Sequence, residues 1–254
     1  MEMNAKRPPP PNRFAPLLLE AKRLVLRTGY PFKRRFGLVD RRIIAAHAKP
    51  GALRKLHIGC GRNVLEGWLN SDLYPRAKTI LHLDATRPFP LEDDWLDYIF
   101  SEHMIEHVPY SEGVYMLGEC HRVLRDGGSV RISTPNLEFL LGLYGGERSQ
   151  QENEYIQWMT DRYLPDAPYC EDVFIINNHM RRWGHCFIYD EKTLRAAMEK
   201  AGFRDVTRCS LCESEHEPFR NLEYESRLPE GLLRMETLTM EGRKSTAQPT
   251  DQPQ

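Results

Sequence analysis

Residues able to do chemistry gather at four places along this 254-residue chain. The first is a glycine turn, His57-Ile-Gly-Cys-Gly61, where Gly59 and Gly61 would let the backbone approach a ligand that a Cβ would push away. A lone GxG is also the ordinary content of a tight turn. The second place holds two acids. Asp72 is expected to end the next strand and accept hydrogen bonds from both hydroxyls of a ribose, and Asp84, in Leu-Asp-Ala-Thr, ends a third strand close enough to face an adenine amino group. The third is His103-Met-Ile-Glu106-His107, whose HxxEH spacing matches an inverted zinc-protease motif and would line three donors along one helix face. The plainer reading is that Glu106 and His107 make hydrogen bonds at the start of a helix, so no metal ligand set is assigned. The residues leave open whether a divalent metal is used at His103, Glu106 and His107. The fourth is Asn178-His-Met-Arg-Arg-Trp-Gly-His185. Trp183 can stack on a sugar or aromatic ring, while His179, Arg181 and His185 can bind hydroxyls or anions.

These groups need elements to hold them. The apolar run Leu53–Gly59 reads as a buried strand entering the glycine turn, and further strands are expected at Trp68–Leu73, Thr79–Leu83, Asp97–Ser101, Ser129–Ser133, Phe203–Ser210 and Met235–Glu241. Helical patterns interleave at Ser111–Leu124 and Glu191–Ala201, which predicts an α/β fold with a mostly parallel sheet covered on both faces. Upstream, residues 1–14 form a basic, proline-rich arm expected to be disordered, and residues 15–50 a helical extension with helices at Ala15–Arg27 and Asp40–Ala48. The main domain is expected over residues 51–242, with an insertion at 137–185 capping the acceptor side and a disordered tail at 243–254.

Composition bounds the function class. With 41% hydrophobic and 28% charged residues the chain is ordinary globular protein. The sequence shows no membrane-spanning run and no apolar signal core, so a cytoplasmic location is expected. Six scattered cysteines do not make a disulfide scaffold. The net charge of −1 hides +9 in residues 1–50 and −10 in the remainder. The basic part could touch a membrane surface or a protein, or cover an acidic face of its own domain, and no nucleic-acid partner is expected.

The order HIGCG, NSDLYP, LDAT, DYIFSEHMIEHV, ECHRVLRDGG and VRISTPN resembles the successive motifs of class I S-adenosylmethionine-dependent methyltransferases. The closest likeness is to the type with GCGxN followed by GWxNxD, often associated with saccharide biosynthesis. The resemblance implies a Rossmann-like, seven-stranded, mostly parallel sheet with helices on both faces, and S-adenosyl-L-methionine as cofactor. It implies that Gly59, Cys60 and Gly61 hold the methionine moiety, Asp72 and Leu73 the ribose, and Asp84 and Ala85 the adenine, with Ser101 and Glu102 on the methyl-donor side. His103 and His107 are then the catalytic candidates, His103 first because it follows the strand end beside the methyl group. His179, Arg181, Trp183 and His185 are candidates for binding a small-molecule or saccharide acceptor, by O-methylation. Two departures stand out. His57 occupies a position where the superfamily usually has an acid, and only ten residues separate Gly61 from Asp72, too few for a full crossover helix. The competing readings are a non-catalytic cofactor-binding or scaffold protein and an NAD-dependent oxidoreductase, the latter without its full GxGxxG because Arg62, Asn63 and Val64 follow Gly61.

Overall fold

This computed structural model describes residues 38–245, so the expected proline-rich arm, the helix at 15–27 and the last nine residues of the tail lie outside the described residues. The chain divides into residues 1–42 and 43–254, the first described only where helix α1, Leu38–Ala46, begins. Five parallel strands follow: β1 Lys55–Ile58, β2 Leu69–Asp72, β3 Leu81–His82, β4 Leu96–Glu102 and β5 Leu124–Pro135. Then come β6, Arg204–Cys209, and β7, Thr237–Arg243, with β7 antiparallel to both β5 and β6. The seven strands lie in the order β3-β2-β1-β4-β5-β7-β6. This mixed, mostly parallel sheet is the Rossmann-like arrangement expected from the sequence, and its order reverses between β1 and β4, where such sheets open a crevice at their carboxyl ends.

Residues 59–68 join β1 to β2 through turns without a helix, as the short spacing requires. Helix α2, Tyr110–Val123, feeds directly into β5. Its buried positions Gly113, Met116, Leu117, Cys120 and Val123 follow helical spacing and face the sheet. Helix α6, Glu191–Lys200, begins where the Asp190 carboxylate accepts the Thr193 N–H at 2.7 Å, and it buries Leu194, Ala197 and Met198. These side chains meet Leu56, Ile58, Ile99, Val130 and Ile132 from one sheet face. Each such fully buried aliphatic stabilises the fold by about 1.5–3 kcal/mol.

Strand alternation sends neighbouring residues to the other face. There Trp68, Phe100 and Phe219 form a smaller apolar cluster. Beside it the fully buried Arg131 donates to Glu223 at 2.7 Å and Glu241 at 2.5 Å, and to the carbonyls of Glu213 and Ser210 at 2.9 and 3.0 Å. One guanidinium therefore fastens the irregular segment 210–223 onto the sheet.

The expected insertion is helical: α3 Leu137–Gly142, α4 Gln150–Tyr163 and α5 Asp172–Arg181. A reciprocal capping box between Ser149 and Glu152 starts α4. Tyr155, Ile156, Met159 and Ile175 join Leu143 and Leu232 in a separate core over the end of β5. The strand expected from Met235 starts two residues later, because Leu232–Glu236 forms the short helix α7 that buries Leu232 and Leu233. No helix among the described residues is long and apolar enough to cross a membrane.

Candidate active site

The sheet register brings the expected chemistry to adjacent strand ends. Ile58 pairs with both Ser71 and Ser101, and Asp72 pairs with His82, so the glycine turn, Asp72, the residues after β3 and Glu102 share one edge. The Gly61 N–H donates to the Asp72 carboxylate at 2.9 Å, and the Tyr74 N–H donates to its other oxygen at 2.7 Å. Each carboxylate oxygen keeps a second lone pair for a ligand hydroxyl.

The two glycines serve different ends. Both have positive φ, but a Cβ on Gly59 would lie 2.5 Å from Met104 Cγ, so this position is closed by the protein's own side chain. A Cβ on Gly61 would meet only the Gly59 carbonyl oxygen, at 4.0 Å, and would project into open space above the turn. That opening beside Asp72 fits the backbone cradle a nucleoside cofactor needs. Cys60 is buried between them, and burial raises its thiol to about 11. Half-buried Leu73 follows Asp72, and Asp84 closes a turn by accepting from the Thr86 N–H and hydroxyl, with Ala85 buried beside it. Ser101 donates to the Ile58 carbonyl at 3.2 Å. Glu102 accepts from the Tyr224 N–H at 3.2 Å and faces Arg227 at 3.6 Å, so it clamps the segment after Glu223 as well as flanking the crevice. His57 lies below the turn, buried against Phe100, and donates through Nδ1 to Asn70.

The second half of the site is a cavity of about 230 Å³ lined by His103, Glu106, His107, Tyr163, Trp183, His185, Arg227 and Glu236, among others. It sits where β4 and β5 end, next to the start of β7. His103 adopts the left-handed conformation, φ 46°, with its N–H bound to the Ser133 carbonyl at 2.8 Å. Burial, then Arg227, drives its imidazole well below the ordinary value, so it stays neutral and its 3.5 Å approach to Glu106 is a contact rather than an ion pair. Residues 105–107 form a single 3₁₀ turn in place of the helix face expected for HxxEH. Glu106 is fully buried, accepts the Thr134 hydroxyl at 3.1 Å, and is pushed up to about 8 by burial.

The 178–185 cluster splits. His185 and Trp183 line the cavity, with Trp183 at φ 56° packed edge-on against Tyr163 and His179. His185 donates through Nδ1 to the His179 carbonyl at 2.6 Å, and burial lowers it to about 4. His179 is buried beneath, its Nε2 3.4 Å from both Tyr155 and Glu236, and Arg181 is exposed away from the lining. Arg227, Tyr163 and Glu236 were not singled out by sequence. Arg227 comes from a stretch with no periodic pattern, whereas the capping box before α4 was a readable signal for the helix that carries Tyr163.

A family model described as a methyltransferase domain matches residues 34–208, more than half of the chain. No curated protein matches the sequence. Solved structures to which the chain is similar include a SAM-dependent methyltransferase from Archaeoglobus fulgidus, 19% identical, with 85% of this chain and 99% of that chain covered at TM-score 0.44. Another is a SAM-dependent methyltransferase, possible histamine N-methyltransferase, from Thermotoga maritima, at 16% identity, 87% and 99% coverage and TM-score 0.43. A possible exported protein from Bordetella parapertussis is 14% identical over 84% of this chain and 68% of that one, at TM-score 0.47. The chain belongs to the methyltransferase-domain family, a class I enzyme whose methyl donor is S-adenosyl-L-methionine.

Proposed function

We propose that this methyltransferase O-methylates a small-molecule or saccharide acceptor that carries an anionic group, held in the cavity between His103 and Trp183. The observation that carries the reading is the lining itself: the imidazoles of His103, His107 and His185, the Trp183 indole, and Arg227 with Nε and Nη2 buried and making no hydrogen bond. Glu102 faces this guanidinium at 3.6 Å, and its donors without a hydrogen bond favour a carboxylate or phosphate on the acceptor. At about 230 Å³ the cavity is smaller than the roughly 300–1,000 Å³ typical of drug-sized ligands, which suits one ring or one sugar unit.

When bound, the donor supplies a methyl group on an already electrophilic sulfonium. The protein's work is therefore alignment, an effect that can contribute about 7–11 kcal/mol. In this reading Gly61 and Asp72 hold the methionine and ribose portions, Asp84 and Ala85 flank the adenine, and Ser101 and Glu102 border the methyl side. Neutral His103 accepts the acceptor's hydroxyl proton, Trp183 covers the ring, Arg227 binds its anionic group, and His185 lines the polar side of the cavity. His107 turns toward Glu106 and His185 and helps orient the acceptor. His179 supports Trp183 and His185 from below, and Arg181 can meet only the outer part of a larger acceptor. Six free cysteines suit a reducing, cytoplasmic setting.

The test is release of S-adenosylhomocysteine on screening sugar nucleotides, uronic acids and hydroxylated acids. With a working acceptor, His103→Asn, which tolerates positive φ, should lower turnover while S-adenosylhomocysteine affinity stays within about twofold. Full activity in that variant sinks the base role, and turnover of amines but no hydroxyl compound sinks O-methylation.

A further inference from the structure

We infer that Glu106, His107 and His185 form a binding site for a divalent transition-metal ion, with Zn²⁺ the best chemical match and an open coordination position facing the 230 Å³ cavity. One donor atom from each lies within 4.8 Å of the others. An ion about 2.1 Å from each of three tetrahedral donors spaces them about 3.4 Å apart, so small side-chain rotations complete the set. The donors come from two segments that the backbone already locks together. The N–H groups of Cys186 and Phe187 both donate to the Glu106 carbonyl, at 2.7 and 3.2 Å, which fixes His185 beside the 105–107 turn.

Two further observations point to a cation. Glu106 is 0% exposed and its Oε1 accepts no hydrogen bond, while that atom faces His103 Nδ1 at 3.5 Å and His107 Nε2 at 3.9 Å. A buried carboxyl oxygen with no hydrogen-bond partner is costly, and a bound cation would meet it. His185 then supplies its tautomer. Its Nδ1 lies 2.6 Å from the His179 carbonyl, which can only accept, so the proton sits on Nδ1 and Nε2 keeps its lone pair. Metal-bound histidines are oriented in this way, with the second ring nitrogen donating to a carbonyl or carboxylate. Two imidazoles and a carboxylate suit zinc or iron better than magnesium or calcium, which take oxygen ligands. His103, first in the HxxEH spacing, stands outside the set, and His185 takes its place from 78 positions downstream of His107.

With three protein ligands, one position remains for an acceptor oxygen, which the ion would hold and make more acidic. That role rests on the O-methylation reading, whereas ion binding itself does not.

The experiment uses the full chain, stripped with chelator and titrated with Zn²⁺, and separately with Co²⁺ while its visible absorption is followed. One saturable equivalent is expected, with Co²⁺ bands of low-symmetry four- or five-coordination. His185→Asn and His107→Asn should each weaken Zn²⁺ by more than ~100-fold, beyond the tenfold to hundredfold cost of an outer-shell partner. His47→Ala, in the turn just after helix α1, should leave it unchanged. Thermal midpoints without ion and S-adenosylhomocysteine affinity are measured on each variant, and Glu106→Gln replaces any variant whose midpoint collapses. No saturable binding, or binding unmoved by these substitutions, overturns the site. If S-adenosylhomocysteine still binds in that case, the methyl-donor reading stands without it.

Discussion

Gly61 and Asp72 meet across 11 positions of chain, whereas the Glu102 clamp that sets Arg227 at the cavity spans 122. The side proposed to hold the donor follows from local construction, because each strand of a parallel sheet ends at the same edge and delivers its next residue there. The side proposed for the acceptor is assembled by docking: the 105–107 turn, the end of α5, the stretch before α7 and helix α4 meet only after the sheet exists. Errors in the first arise from single residues, and errors in the second from the fasteners that hold distant segments.

The largest expected effect tests the fasteners. Arg131→Met would leave Glu223 and Glu241 charged and buried without their partner, a change that costs about 3–5 kcal/mol. For a domain of this size that is a fall in Tm of roughly 6–20 °C. Scanning calorimetry reads it, and a fall below about 3 °C would show that segment 210–223 is held by other means. Next is the donor side. Asp72→Ala removes a charged acceptor and frees the Gly61 N–H, so S-adenosylhomocysteine affinity should drop by about 1.5–3 kcal/mol, roughly 10- to 150-fold. Titration calorimetry on the folded variant checks this, and unchanged affinity would remove Asp72 from the donor site. Acceptor KM should hold steady, since the two halves are separately built.

The same contrast explains what could be read in advance. Strand ends, the glycine turn and both acids were legible because period-two apolar runs and turn residues are local signals, and the sheet places their ends automatically. Gly59 misleads, since the demand for glycine there comes from Met104, 45 positions away, and no ligand is needed to explain it. His179 looked like a pocket residue because it shares a cluster with His185. The register of α5 buries it against Tyr155 instead. Arg227 could not be found, because its position depends on Arg131 and Glu102 gripping a segment with no periodicity of its own.

A smaller effect sharpens the acceptor side. Arg227→Gln keeps length but removes charge, and it should raise the KM of an anionic acceptor by roughly tenfold, about 1.4 kcal/mol, while leaving a neutral analogue within twofold. Equal changes for both acceptors would mean that Arg227 shapes the cavity through Glu102 without binding an anion.

The smallest effect concerns His57, which sits on the donor side where the superfamily usually carries an acid. Its ring is buried against Phe100 and donates to Asn70, away from the glycine turn's open side, so its contribution is to stability. Burial lowers its pKa to about 4, against an ordinary value of 6.5. The sign follows from proton counting: between these values the unfolded chain binds a proton at His57 that the folded protein refuses, so stability is full above pH 6.5 and is lost as pH falls toward 4. From pH 7 to 5.5 this one group should cost about 1 kcal/mol. Urea unfolding at both pH values in the wild type and His57→Gln isolates the term, because every other titrating group is common to the two proteins. The wild type should lose about 1 kcal/mol more than the variant. Parallel pH profiles would mean that the folded protein protonates His57 as readily as the unfolded chain, which would open the underside of the glycine turn to water.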